Sequence, residues 1–120
     1  MYTAWNLVDT FPFHGLDARL SYTYEDIAIR DCFDDTVYDI PEMERKVNDW
    51  EAYWIMGRVQ LFLDGVEIGD SIVGGIYVES LDELKEYYLD DLCYEAYEEA
   101  KDWYNKNKGF LESYEFNVKD

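Results

Sequence analysis

The chain has 120 residues, of which 28 are Asp or Glu and only 10 are Lys or Arg, so its formal net charge at pH 7 is −18. Hydrophobic residues make up 48% and aromatic residues 18%, which excludes the composition of an intrinsically disordered chain. This length predicts a single domain over residues 1–120. The charge disfavours direct binding to nucleic acid or to an anionic membrane, because both are themselves negative.

The amino-terminal residues and the cysteines favour a cytoplasmic protein. Met1–Asn6 has no basic stretch followed by an apolar run, so we expect no secretory signal, and no segment is apolar for long enough to span a membrane. Cys32 and Cys93 are isolated in the sequence, which favours two buried thiols in a reducing compartment. A single disulfide between them is the alternative.

The first third of the chain is predicted to form β structure. Tyr2–Val8 is short and aromatic, and Phe11–Gly15 has the composition of a turn. Ala18–Tyr24 alternates between two faces, which is typical of a half-buried strand. Ile27–Phe33 alternates less regularly and is predicted to be a further strand.

A short helix is predicted next, over about residues 40–50. Asp39 is a residue type typical of an N-cap, Pro41 lies in the first turn and Glu42 follows three residues after the cap.

The middle of the chain gives the clearest β pattern. Ile55–Leu63 is followed by the two-residue hairpin signal Asp64-Gly65, and Val66–Ile68 begins the return strand. Ile72–Val78 is predicted to be another strand, in which Gly74-Gly75 indicates a bulge or a close backbone approach.

A long helix is predicted over about residues 81–106. Ser80–Glu83 forms a capping box, and Gly109 after Lys106 and Lys108 predicts the end of the helix. Phe110–Val118 would then be a closing strand. The prediction is an α+β fold with an antiparallel sheet of about five or six strands and this helix across one face. The apolar stripe of the helix consists of Leu89, Leu92, Cys93, Ala96, Ala100 and Trp103.

The face opposite that stripe is the first candidate site. Between Glu79 and Asp102 there are ten acids and two lysines. Carboxylates three or four residues apart on a helix lie roughly 5–6 Å apart, which is similar to the phosphate spacing along a nucleic-acid strand. Acids continue to the carboxyl end, where the helix dipole disfavours them, so we prefer recognition to a merely solvated face. The candidate contacts are Glu83, Tyr87, Asp90, Asp91, Tyr94, Glu95, Glu98 and Asp102.

A second acidic region lies between Glu25 and Glu51, with ten acids and three basic residues. Asp34 and Asp35 are its candidate contacts, in the Asp31–Asp39 loop. The loop lacks the alternating ligands and central glycine of a calcium site, so no metal or other cofactor is predicted.

Trp50, Tyr53 and Trp54 form an aromatic cluster that is predicted to be core, with an interface as the alternative. His14 is the only histidine, and its turn context favours a structural role. No phosphate-binding loop, Cys-x-x-Cys or metalloprotease motif is present. The sequence therefore does not predict an enzyme.

The Glu79–Asp102 segment with Tyr87 and Tyr94, together with the Asp31–Asp39 loop, resembles the charge layout of small acidic anti-defence proteins of phages and plasmids. These are anti-CRISPR and anti-restriction inhibitors of the DNA-mimic type. The resemblance is one of composition and charge, and no named family's motif is matched. It implies an inhibitor in the host cytoplasm that occupies the nucleic-acid channel of its target.

We therefore expect a non-enzymatic inhibitor of a basic nucleic-acid-handling protein or protein–RNA complex. An immunity protein or antitoxin that neutralises a cognate basic toxin is the alternative, since the same electrostatics would serve it. Whether the protein forms a homodimer is open at this stage.

Overall fold

The computed structural model describes the backbone of residues 4–113 and the side chains of residues 4–107. Within that part the fold is α+β, as predicted, with one antiparallel sheet of four strands rather than five or six. In chain order the elements are β1 (Asn6–Phe13), β2 (Leu16–Tyr24), a 3-10 turn (Ile29–Asp31), α1 (Ile40–Asn48), β3 (Tyr53–Leu63), β4 (Val66–Val78) and α2 (Leu81–Ser113).

The structure differs from the predicted strands in three places. The Ile27–Phe33 strand is wrong, because Ile29 begins a 3-10 turn and buries its side chain in a small core. The two predicted return strands are one, β4, since the bulge at Gly74–Gly75 bends the strand without ending it. The predicted closing strand is wrong over residues 110–113, where α2 continues past Gly109, and its remainder lies outside the described residues.

The strands follow one another in the sheet in the order β1-β2-β3-β4. Residues 25–52, which include the 3-10 turn and α1, connect β2 to β3, whereas the other two connections are tight hairpins. His14 and Gly15 connect β1 to β2, and Asp64 and Gly65 connect β3 to β4. All four have positive φ angles, between 52° and 84°, which is the conformation of a type I′ turn and matches the twist of antiparallel strands. The predicted hairpin at Asp64-Gly65 is confirmed.

The main core lies between α2 and one face of the sheet. The predicted apolar stripe of α2 packs there, and the hydroxyl of Ser71 on β4 donates a hydrogen bond of 2.7 Å to the carbonyl oxygen of Leu92. Gly69 lets the helix approach the strand, because a Cβ at this position would collide with the carbonyl oxygen of Ala96. The fully buried side chains include Leu16, Leu20, Ile55, Val59, Leu61, Ile76, Leu84 and Leu92.

A smaller core lies on the opposite face of the sheet. Trp54 is the neighbour of Ile55 on β3, and adjacent strand residues point to opposite faces. Trp54 packs with Ile29, Ile40 and Met43, so α1 and the 3-10 turn cover the face that α2 does not. The predicted N-cap of α1 is confirmed, since the side chain of Asp39 accepts a hydrogen bond from the backbone of Glu42 at 3.3 Å.

The two cysteines have different surroundings. Both thiols are free; Cys93 is buried against the sheet, whereas Cys32 is exposed. The prediction of two buried thiols is therefore wrong for Cys32, because the segment expected to be a strand is a surface turn. No helix in the described part of the chain is long and apolar enough to cross a membrane.

Candidate protein-interaction surface

The outward face of α2 carries a row of two tyrosines and three carboxylates. Tyr87, Asp91, Tyr94, Glu98 and Asp102 follow one another at spacings of three or four residues, which places them along one line of a helix. We call this row the tyrosine–acid ridge. The two tyrosines are 64% and 66% exposed, so the ridge presents large aromatic rings to solvent in the middle of an acidic surface.

The other sequence-predicted residues of α2 flank this ridge. Asp90 and Glu95 are exposed on either side. Glu83 is half-buried, and its carboxylate accepts a hydrogen bond of 3.1 Å from the backbone N–H of Glu79. Glu83 thus reaches back across the first turn and caps the helix, but its partner is the N–H of Glu79 and not that of Ser80, the cap residue in the predicted capping box. It is a less available contact than its neighbours.

Several carboxylates of this surface have no cationic partner. Among the described residues, no Lys or Arg nitrogen lies within 4 Å of Asp90, Asp91 or Glu95. Glu98 pairs with Lys101 and Asp102 pairs with Lys106, in both cases at 2.9 Å, but these pairs are solvent-exposed. Exposed pairs are weak and compete with outside partners.

The cations elsewhere are also bound internally. Of the Lys and Arg side chains that the structure describes, all except Arg19 lie within 4 Å of a carboxylate, and Arg19 stacks over the ring of Phe62 at 4.4 Å. Arg45 alone contacts three carboxylates, those of Glu42, Asp49 and Glu51. Little positive charge is therefore free to screen the surface acids.

Asp34 and Asp35 lie away from the ridge. Their loop packs through Phe33 against Trp54, on the sheet face opposite α2. Asp34 holds the turn, since its carboxylate accepts hydrogen bonds from the backbone and hydroxyl of Thr36, at 2.8 and 2.7 Å. These bonds lower the pKa of Asp34. The candidate contacts Asp34 and Asp35 therefore do not form one surface with those of α2, although the two acidic regions meet where Lys46 pairs with Glu79 at 3.8 Å.

The aromatic cluster predicted around residue 50 divides between core and surface. Trp54 is buried and its indole N–H donates to the carbonyl oxygen of Ile27 at 2.6 Å. Trp50 is exposed, and its ring meets Tyr24 edge-on, with 6.3 Å between the ring centroids. The core prediction is right for Trp54 and wrong for Trp50, whose sequence neighbours gave no signal for this difference.

A groove of about 560 Å³ lies between α1 and the β4–α2 connection. Tyr38, Tyr77 and Tyr88 line it together with Lys46 and Glu79. Burial raises the pKa of Tyr77, so its phenol stays protonated and neutral. The walls of the groove therefore present phenol hydroxyl groups and the edges of tyrosine rings.

The described residues show no arrangement typical of a metal centre. No group of three or more His, Cys, Asp or Glu side chains in this part of the chain could hold a metal ion. His14 lies in the β1–β2 turn, where its ring stacks on Tyr97 with 4.5 Å between centroids. This contact fastens the hairpin to α2 and fits the structural role predicted for it.

Comparisons of the chain with protein-family models, with curated proteins and with solved structures found no match in any of the three. The interpretation of the surface therefore depends on its own geometry and charge.

Proposed function

We propose that the protein is a non-enzymatic inhibitor that binds a basic nucleic-acid-handling protein through the tyrosine–acid ridge of α2 and blocks its binding of nucleic acid. The target would be a CRISPR effector, a restriction enzyme or another nuclease, met in the cytoplasm of a bacterial host. The observation that carries the proposal is the combination of exposed tyrosines with an acidic surface on which Asp90, Asp91 and Glu95 have no Lys or Arg partner among the described residues and the pairs of Glu98 and Asp102 are solvent-exposed.

The spacing of the ridge supports mimicry of a nucleic-acid strand. Along an α-helix, residues four apart are separated by roughly 6 Å and residues seven apart by roughly 10 Å. Asp91, Glu98 and Asp102 therefore present carboxylates at these two intervals on one rigid element, the last two in exposed pairs with lysines. A basic channel that binds phosphates through Lys and Arg can bind such an array by the same charge-assisted hydrogen bonds. The sheet beneath α2 fixes the array before binding, which lowers the entropy lost on association.

The tyrosines supply the contact area that the charges alone do not give. Tyr is enriched in protein interfaces because it combines a large ring with few rotatable bonds. Tyr87 and Tyr94 stand between the carboxylates, where a nucleic acid would place its bases. In a nucleic-acid channel they can stack on the aromatic or Arg side chains that normally receive bases.

The test is capture of partners from a nuclease-treated bacterial lysate with the tagged protein, followed by stepwise elution with salt and identification by mass. A retained protein supports the proposal only if an oligonucleotide displaces it in a competition assay with purified components. Asp91→Lys with Glu95→Lys is called the ridge variant: Asp91 belongs to the ridge and Glu95 lies beside it, and neither carboxylate has a cationic partner among the described residues. The change replaces one like-charge pair by another, so the helix itself should be little affected.

Asp17→Lys with Asp26→Lys is the matched control, since both residues are exposed, lie outside α2 and change the net charge equally. We expect the ridge variant to lose at least about tenfold in affinity, as expected for contacts to desolvated charge pairs, and the control to lose much less. Equal losses would show that only the overall charge matters. An unchanged ridge variant would show that the ridge is not the contact surface.

The immunity-protein alternative uses the same surface and differs in the partner. A captured toxin whose activity is neutralised at a one-to-one ratio, and which no oligonucleotide displaces, would favour it.

A further inference from the structure

Trp50 occupies a backbone position that glycine normally takes. It follows the end of α1 and has a φ angle of 63°. The N–H of Glu51 donates to the carbonyl oxygen of Lys46 at 2.7 Å, and the N–H of Trp50 donates to that of Val47 at 3.2 Å. These two bonds form a Schellman motif, in which the left-handed residue is usually glycine because it has no Cβ to clash.

Neither folding nor packing explains a tryptophan at this position. The left-handed region is unfavourable for bulky residues, and burial does not compensate for it, because Trp50 is 76% exposed. Its ring meets that of Tyr24 edge-on, and Tyr24 is itself 47% exposed. Trp54, by contrast, has the features of a structural tryptophan: it is only 6% exposed, and its indole N–H donates a hydrogen bond.

The surroundings of Trp50 favour a cation as its partner. The residues on either side are Asp49 and Glu51, and both carboxylates converge with that of Glu42 on the single guanidinium of Arg45. Three carboxylates against one cation leave a local excess of negative charge. Among side chains, the face of Trp is the best acceptor of a cation–π contact.

From the strain, exposure and charge at this position, we propose that Trp50, with Tyr24 beside it, is a docking position for an arginine side chain of a basic protein partner. Arginine is favoured over lysine because its planar guanidinium stacks on an aromatic face while its N–H groups donate to neighbouring carboxylates. The inference takes its class of partner from the proposed function, but it concerns a different surface, at the end of α1 rather than on α2.

The test uses three short glycine-spaced peptides that carry arginine, lysine or the neutral isostere citrulline at the same positions. Their binding to the full chain is measured at low salt through the indole N–H signals in NMR, with Trp54 as the buried internal reference. Trp50→Gly is the variant. We expect the arginine peptide to bind at least about threefold more tightly than the lysine peptide, to shift the Trp50 signal selectively, and to lose this advantage in Trp50→Gly. The citrulline peptide should not distinguish the two proteins.

The same variant separates binding from folding. Because glycine suits the left-handed position, Trp50→Gly should have a higher melting temperature than the parent chain while it loses arginine selectivity. A lower melting temperature would assign Trp50 a structural role and overturn the proposal. Equal binding of the arginine and lysine peptides would also overturn it, as would a homodimer that Trp50→Gly dissociates, since that would assign this surface to a second copy of the chain.

The ridge variant Asp91→Lys with Glu95→Lys should keep its preference for arginine over lysine. Failure of the proposed function at α2 and failure of docking at Trp50 are thereby told apart.

Discussion

At the scale of single residues, Cys93 and Cys32 give a direct test of the packing. Burial, with a smaller contribution from Asp90, raises the pKa of the Cys93 thiol to about 11, and the thiol is covered by the sheet. Cys32 is exposed. With a disulfide-exchange reagent at pH 8, we expect one thiol to react at once and the second only after unfolding in denaturant, since the thiolate is the reactive form. Two fast thiols would contradict the packing of α2.

The ion pair between Asp9 and Lys85 gives a prediction for pH. Its hydrogen bond, 2.9 Å long, joins β1 to α2 and lowers the pKa of Asp9. A carboxyl whose pKa is lowered by folding stabilises the native state above its unfolded pKa, and this contribution is lost as pH falls through the native pKa. Asp9→Asn should therefore destabilise the protein at pH 7, and the difference should shrink below about pH 4.

Denaturant unfolding of parent and variant at both pH values measures this effect. Asp17→Asn is the control, because Asp17 is exposed and has no Lys or Arg within 4 Å in the described part of the chain. If the two variants behaved alike across the pH range, the Asp9–Lys85 pair would contribute nothing to stability.

Among the elements, the contact between α2 and β4 depends on Gly69. A methyl group here would collide with the backbone of Ala96, which cannot move without displacing the helix. Gly69→Ala should lower the free energy of unfolding by about 3 kcal/mol, the upper end of what overpacking usually costs. In Gly57→Ala the new methyl would meet side chains and no backbone, the nearest being Leu84 and Ile76 at 3.1 and 3.3 Å, so the loss should be smaller. Denaturant unfolding of the two variants measures both losses.

The elements that the sequence predicts correctly are those marked by a few adjacent residues of characteristic type. The turn at Asp64-Gly65, the Asp39 cap and the start of α2 each follow from a few adjacent residues, and the structure confirms them. The Gly74-Gly75 bulge was also indicated by its composition, and Gly75 has a φ angle of 67°.

The elements that were predicted wrongly depend on contacts distant in sequence. Ile27–Phe33 has too few residues for alternation to distinguish a strand from a turn that buries Ile29. Gly109 is a typical helix end, yet α2 continues past it to Ser113. In the candidate site, the helical period was enough to place the ridge residues on one face. Trp54 is buried because of the sheet face on which it lies, and Trp50 is exposed because of its left-handed turn. The sequence neighbours of the two residues indicate neither feature.

For the whole molecule, the net charge of −18 gives opposite salt dependences for folding and for binding. Carboxylates without partners repel one another in the native state, and dissolved salt screens this repulsion. The melting temperature should therefore rise by several degrees between low and physiological ionic strength, while the affinity for a basic partner falls. The control variant Asp17→Lys with Asp26→Lys should show a smaller rise. A melting temperature that fell with salt would mean that the internal ion pairs dominate the stability.

Because the cations of the protein are mostly paired internally, dissolved cations must balance the excess negative charge of α2 before any partner binds. In the segment from Glu79 to Asp102, ten acids and two lysines leave about one net charge per ~4.5 Å of helix axis, not far from the 3.4 Å of a single nucleic-acid strand. Such a density gathers mobile sodium and potassium ions around α2. A basic surface that docks there would release these ions into the solvent, so association would be driven by their gain in entropy, and calorimetry would record little heat.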